Sequence, residues 1–219
     1  MSDTTATQLT DTSDMINLHR VFRDGLAAAP RYVGSVQPGD TQRAALVADY
    51  YANVLRLLHS HHNGEDELVT PKLVERAGAD AAAVSRIAAQ HQPVVGLLDD
   101  AESKIATWRV DPTQASSAQL IMSLAALDAG LTPHLDEEER VVLPIAARHM
   151  TPEEWGELPG HGLAHFDGDK IWLVLGLIRE GMTPERLAEM DAHMPPPVSE
   201  MWASVGRPAF EEFVGTLRG

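Results

Sequence analysis

Two segments of the chain repeat one spacing of residues that could bind a metal. Residues 61–71 are HHNGEDELVTP and residues 134–144 are HLDEEERVVLP. In each segment a glutamate follows a histidine by four residues, and a proline follows the same histidine by ten. Imidazole and carboxylate are ligands that several transition metals accept without sulfur. The repeat therefore suggests the hypothesis that each segment supplies half of one metal site.

The spacing within each segment places its histidine and glutamate on one side of a helix. Residues four apart in a helix point in nearly the same direction, so His61 converges with Glu65, and His134 with Glu138. Both pairs continue the apolar stripe of their helices, where an unpaired carboxylate is costly to bury. Two carboxylates buried at matching depths on two facing helices need a shared cation, and the pattern predicts one.

Two single histidines extend the pattern. His19 and His91 also lie on the apolar stripes of predicted helices, which gives the order His, His-x-x-x-Glu, His, His-x-x-x-Glu along four helices. Iron, manganese and zinc suit such a donor set, and two carboxylates able to bridge favour a dinuclear centre. The neighbouring acids Asp66, Glu137 and Glu139 are instead expected on solvated helix faces. The predicted ligands are His19, His61, Glu65, His91, His134 and Glu138.

The elements that must position these residues have the periodicity of amphipathic helices. Apolar residues at helical spacing predict a first helix that begins near Asp14, and a long second helix that begins near Thr41 and leads into His61. Pro71 is expected to break or kink this second helix, because proline lacks the N–H that continues the hydrogen-bond ladder.

A third helix is expected from Asp80 to about Thr107, with a kink near Pro93, and a fourth over about residues 115–149. Strand signals are scarce. Four long amphipathic helices joined by short turns predict an all-α fold, an antiparallel up-down four-helix bundle.

This fold prediction divides the chain into three parts. Residues 1–13 are low in apolar content and are expected to be disordered. Residues 14–149 are expected to form the bundle. Residues 150–219 contain two Thr-Pro helix starts and several aromatic residues, so they are expected to form a helical C-terminal extension packed on the bundle.

Composition limits the partners that the chain can have. The sequence has 32 acidic and 17 basic residues and a net charge of −15, which disfavours a nucleic-acid partner or an anionic membrane surface. No apolar run is long enough for a membrane span, and the acidic N-terminus has no signal-peptide pattern. The absence of cysteine removes thiolate ligands and is consistent with a reducing compartment. We therefore expect a soluble cytoplasmic protein.

The two motifs resemble those of the bacterial hemerythrin-like, or HHE cation-binding, proteins. HHNGED and HLDEEE match the family's HHxxEE and HxxxEE motifs, and both copies keep the downstream proline, as Pro71 and Pro144. The resemblance covers about residues 14–149. It implies two iron ions joined by an oxo or hydroxo bridge, with manganese or zinc as alternatives. It also implies that Glu65 and Glu138 bridge the ions and that the four histidines of the pattern are terminal ligands.

The chain departs from the oxygen-carrying hemerythrins in one histidine. Those proteins supply five histidines, two of them four apart on the third helix, whereas the residue four after His91 is Val95. Two further histidines, His161 and His165, lie four residues apart in the extension. Gly160, Gly162 and Gly168 argue against a rigid helix around them. The candidates for the missing ligand are His62, Tyr50, His161, His165 and a water molecule.

A dinuclear iron centre with an open position can bind O2, H2O2 or NO. A missing fifth histidine would leave the coordination labile, which favours catalase-like removal of peroxide. Reversible O2 or NO binding for sensing is the alternative, and iron handling is less favoured. No catalytic residue beyond the metal ligands and no organic cofactor is expected, and the sequence indicates no particular partner protein.

Overall fold

The computed structural model describes residues 9–219, and these form helices and turns without strands, which confirms the all-α prediction. The bundle region contains α1 (Ser13–Ala27), α2 (Ala29–Gly34), α3 (Thr41–Gly64), α4 (Thr70–Arg76), α5 (Ala81–Ala88), α6 (His91–Val110), α7 (Gln114–Glu137) and α8 (Leu143–His149). The extension contains α9 (Pro152–Trp155), α10 (Glu157–His165), α11 (Ile171–Glu180), α12 (Pro184–His193), α13 (Pro196–Met201) and α14 (Arg207–Arg218).

Four long helices enclose the core. α1 packs on α3 and α7, and α6 packs on the same two helices, so the four form a closed square. Only residues 111–113 join α6 to α7, which makes these helices antiparallel. Phe22, Leu58, Leu98 and Leu131 meet between the helices, each at most 1 % exposed. Burial of one such side chain contributes about 1.5–3 kcal/mol, so the apolar stripes hold the bundle together.

Both helices that carry the repeated motif widen into a π-helical segment at the glutamate. The segments are Glu65–Val69 and Glu138–Val142, and each begins six residues before a proline. A regular α-helix would direct the ring of Pro71 against the carbonyl of Glu67. The π segment avoids this clash, since the N–H of Thr70 bonds to the carbonyl of Glu65, five residues back. The helix therefore widens at Pro71 and continues into α4, where the sequence predicted a break or kink.

The third bundle helix is interrupted, which corrects the prediction of one kinked helix from Asp80 to about Thr107. α5 ends at Ala88, and α6 begins at His91. Pro93 explains the interruption, because its ring would clash with the carbonyl of Ala89 in a continuous helix. The break makes His91 the first residue of α6, and this residue is buried.

The extension packs on the bundle through α11 and α14. Leu173 of α11 and Leu217 of α14 are buried in the same apolar cluster as the bundle residue Phe22. α14 approaches α11 closely at Gly176, where a Cβ atom would lie 2.2 Å from Cδ2 of Phe210. Only glycine fits this contact.

Three helices of the extension test local predictions from the sequence. Thr151 and Thr183 cap α9 and α12 by accepting hydrogen bonds from the N–H groups of Glu154 and Arg186, which confirms both Thr-Pro helix starts. The argument from glycine against a helix near His161 is wrong, because α10 covers Glu157–His165. A glycine costs about 1 kcal/mol in a helix, and the packing of α10 on α3 offsets this cost.

The first described residues are held against the end of the bundle. Thr10 is buried, its N–H donates to the carbonyl of Ala147 at 2.9 Å, and its hydroxyl donates to the carbonyl of Met150 at 2.6 Å. The disorder expected for residues 1–13 therefore does not extend to Thr10, and residues 1–8 lie outside the described residues. Within residues 9–219, no helix is long and apolar enough to cross a membrane.

Candidate metal centre

Seven residues with metal-binding side chains meet in the core of the bundle. α1, α6 and α7 each contribute one histidine, α3 contributes two adjacent histidines at its C-terminal end, and each of the two π segments contributes its first residue. All seven are at most 7 % exposed. They are His19, His61, His62, Glu65, His91, His134 and Glu138.

The seven side chains form two adjoining groups. Donor atoms of His62, His91 and His134 lie within 4.8 Å of one another, and so do those of a second group, which comprises His19, His61, Glu65 and Glu138. The two carboxylates join the groups. Glu138 lies 3.2 Å from Nε2 of His134 in one group and 3.6 Å from Nε2 of His19 in the other. Glu65 Oε2 lies 3.5 Å from Nε2 of both His61 and His91.

The atoms that face the centre of the site have no hydrogen-bond partners. They are Nε2 of all five histidines and Oε2 of Glu65 and Glu138, and all of them are buried. A buried polar atom without a partner costs about 1–3 kcal/mol. Two ligands about 2.1 Å from one ion and about 90–110° apart would be separated by about 3.0–3.4 Å. The observed separations of 3.2–3.6 Å are close to this range, so the donor set fits bound cations.

The pKa values of the clustered side chains reflect burial and crowding of like groups. Burial and the neighbouring imidazoles hold the pKa of His61 and His62 well below the usual range, so both rings are neutral and have a free lone pair at pH 7. Burial and the charge of Glu138 raise the pKa of Glu65 to about 8. Burial opposes protonation of His91, but Glu138 and Glu65 outweigh it and raise the pKa of His91 to about 10. At neutral pH the proton on Glu65 and the positive charge of His91 thus offset the charge of the buried carboxylates.

Comparison with protein families shows the family of the chain. The family model described as the hemerythrin HHE cation binding domain matches residues 10–146, well over half of the chain. The chain belongs to the hemerythrin HHE family. Comparisons with curated proteins and with solved structures gave no significant match.

In the hemerythrin domain three of the five histidines form a hydrogen bond through Nδ1, the ring nitrogen that faces away from the centre of the site. Nδ1 of His19 donates to Glu139 at 2.9 Å, and Nδ1 of His91 donates to Asp66 at 2.9 Å. Nδ1 of His134 donates to the amide oxygen of Gln90 at 3.0 Å. A proton fixed on Nδ1 makes Nε2 the nitrogen that can bind a metal ion, and Nε2 faces the centre of the site. These partners therefore set both the tautomer and the direction of the rings.

The acidic neighbours of the predicted ligands are not merely solvated, as the sequence suggested. Asp66 and Glu139 each directly follow a buried glutamate, and each holds a histidine from another helix. Glu137 binds the guanidinium of Arg86 and accepts a hydrogen bond from Gln90, the residue that holds His134. The repeated Glu-acid pair in the two motifs was the signal in the sequence for this outer layer.

The remaining candidates lie apart from the two buried groups. Tyr50 packs edge-on against Tyr32 and Tyr51 in the apolar core, with ring centroids 5.4 and 5.1 Å away, so it is a core aromatic residue. His161 and His165 do fold back onto the bundle, but they form a separate group with Glu67 near the surface. His62 is therefore the candidate that the hemerythrin fold brings beside the other four histidines.

Replacement of Asp66 by alanine should weaken metal binding by about 10–100-fold while the bundle stays folded. The change removes the acceptor that orients His91, and loss of such a partner commonly has an effect of this size. Retained metal per chain, measured after dialysis against a series of chelator concentrations, gives the shift. Glu75→Ala is the control, since Glu75 is exposed on α4. Equal retention in both variants would mean that Asp66 has no such role.

Proposed function

We propose that this hemerythrin domain binds two iron ions and reacts with O2 or H2O2, with catalase-like removal of peroxide as its activity. The observation that carries the proposal is the set of seven buried, unpaired donor atoms arranged as two groups joined by two carboxylates. Imidazole and carboxylate ligands without sulfur suit iron, and two carboxylates between two groups of imidazoles suit a dinuclear site.

The two groups of side chains would each bind one iron ion. His62, His91 and His134 would hold one ion, and His19 and His61 the other. The two glutamates, each close to histidines of both groups, would span them. When bound, such an iron pair supplies redox chemistry and an open position for a small oxidant.

A small pocket beside the site supports a small ligand. Its cavity volume is about 10 Å³, which is room for roughly one water-sized molecule. It reaches Glu65, His91 and Glu138 and is otherwise lined by Val69, Thr70, Val84, Ile87, Ala88 and Val142. A space of this size with a mainly apolar lining favours O2, NO or H2O2 over larger substrates. Among the lining residues Thr70 has the one hydroxyl, which can hydrogen bond with peroxide.

Reversible binding of O2 or NO is the second candidate, and the position of His62 removes one argument against it. Catalase-like turnover was expected partly because one of the five histidines of the oxygen carriers is missing from α6. His62 on α3 supplies a fifth imidazole to the site, so that argument no longer separates the two functions. The hydroxyl of Thr70 supports peroxide turnover. Iron handling is less favoured, since every donor of the site is deeply buried.

The test combines iron content with oxygen evolution. The purified protein should contain about two iron atoms per chain and should release O2 when H2O2 is added. Thr70→Val, which keeps the side chain's shape, should retain the iron and lower the rate. A reversible spectral change with O2, without oxygen evolution from peroxide, would select the carrier function. Fewer than two metal ions per chain after reconstitution with excess iron would contradict the dinuclear site itself.

A further inference from the structure

A third group of metal-binding side chains lies where the extension meets the bundle. Glu67 belongs to the π segment Glu65–Val69, and His161 and His165 lie one turn apart on α10. One donor atom of each residue lies within 4.8 Å of the others. The two imidazole rings stack, with centroids 4.1 Å apart, so both face the same side of α10. A pair of histidines four residues apart on one helix face is a common framework for binding zinc.

The side chain of His161 is nine-tenths buried, and one of its two ring nitrogens has no hydrogen-bond partner. It is 10 % exposed, its Nε2 lies 2.9 Å from Oε2 of Glu67, and its Nδ1 is buried without a hydrogen-bond partner. The ring lies beside Gly64, where a Cβ atom would be 3.5 Å from Nδ1.

His165 has one nitrogen in use and one available. Its Nδ1 donates to the carbonyl of His161 at 2.9 Å, which leaves the lone pair of Nε2 for a ligand. Glu67 and His165 are both exposed, so a cation in this group would be reached from solvent. His165 also borders a pocket of about 580 Å³, which gives bound water or a further ligand room on that side.

We propose that Glu67, His161 and His165 form a second, mononuclear site for a divalent cation of the zinc class. Two imidazoles and one carboxylate favour Zn2+, Ni2+ or Cu2+ over Mg2+ and Ca2+, which prefer oxygen ligands alone. None of the three residues belongs to the two buried groups of the metal centre, so this site is separate from the proposed dinuclear one. The bound cation fastens α10 to the π segment that begins at the buried Glu65.

The test is a Zn2+ titration of the protein as purified, by calorimetry or equilibrium dialysis, with iron measured before and after. We expect about one Zn2+ per chain with no loss of iron. His165→Ala and Glu67→Gln should each weaken Zn2+ binding by at least about 10-fold. His193→Ala is the matched control, because His193 also lies at a helix end with Nδ1 2.8 Å from the carbonyl four residues back, and belongs to no group of potential ligands in the described part of the chain.

A second readout reports on the helix itself. Zn2+ should slow amide hydrogen exchange in α10 of the parent protein and of the His193 variant, and should leave it unchanged in the His165 variant. Equal Zn2+ affinity in the parent and the His165 and Glu67 variants would overturn the proposal. Zn2+ uptake matched by an equal loss of iron would also overturn it, since the Zn2+ would then occupy the buried site.

Discussion

Replacement of Glu138 by alanine should remove most of the bound metal and lower the free energy of unfolding by at least about 3 kcal/mol. Glu138 is buried and lies 3.2–3.6 Å from Nε2 of His134, His91 and His19, which come from three different helices. Removal of one partner from a buried charged cluster commonly costs about 3–5 kcal/mol, and the stability contributed by the metal is lost as well.

The expected fall in melting temperature is about 6–12 °C for a chain of this length. Thermal unfolding and metal analysis of the same preparations measure both effects. Glu138→Gln separates charge from packing, because the amide keeps the shape of the side chain; it should lose metal as the alanine variant does. Asp136→Ala is the control, since exposed Asp136 pairs with Arg23 at the surface, where such pairs contribute about 0–1 kcal/mol. If Glu138→Ala kept both metal ions, Glu138 would not be a shared ligand.

Replacement of His62 by phenylalanine should reduce the metal content from about two ions per chain to about one. His62 belongs only to the group that contains His91 and His134, so its loss removes one of three imidazoles at one position and none at the other. Phenylalanine preserves the ring that stacks on His91, where the centroids are 4.2 Å apart. The fold should therefore survive the change, and metal content should report the lost nitrogen alone.

The control for His62 is His59→Ala. His59 lies one turn earlier on α3, is partly exposed and faces Glu102 at 3.5 Å, so its loss should change neither metal content nor reaction with peroxide. Oxygen evolution from H2O2 should fall at least about 10-fold in His62→Phe. Two ions per chain in His62→Phe would show that His62 is a core side chain that packs on His91 and does not bind metal.

The motif pairs could be predicted from the sequence because their geometry is local. His61 and Glu65, like His134 and Glu138, are related by one turn of helix, and any helix places such residues on one face. The predicted stripes also placed His19 and His91 correctly inside the bundle. Pro71 predicted a break or kink in the second helix, where the structure has a wider turn, and the π segment before Pro144 lies within a helix that was predicted to run unbroken over about residues 115–149.

The role of His62 could not be predicted in this way. Adjacent residues on a helix point about 100° apart, so His62 does not share the face of His61. α3 lies between α1 and α6, and the two residues therefore meet different neighbours. His61 packs against His19 at 5.1 Å, whereas His62 stacks on His91. A second inward face exists only because two helices flank α3.

The sequence by itself determined the all-α fold, the donor types and the pairs within each motif, because helical periodicity relates residues that are one turn apart. The tertiary structure alone decided which histidines form each group, that Asp66 and Glu139 hold histidines of other helices, and that α10 brings His161 and His165 to Glu67. These relations join residues 25–120 positions apart, and they depend on which helices pack together and at what depth. Spacing along the chain carries no information about that packing.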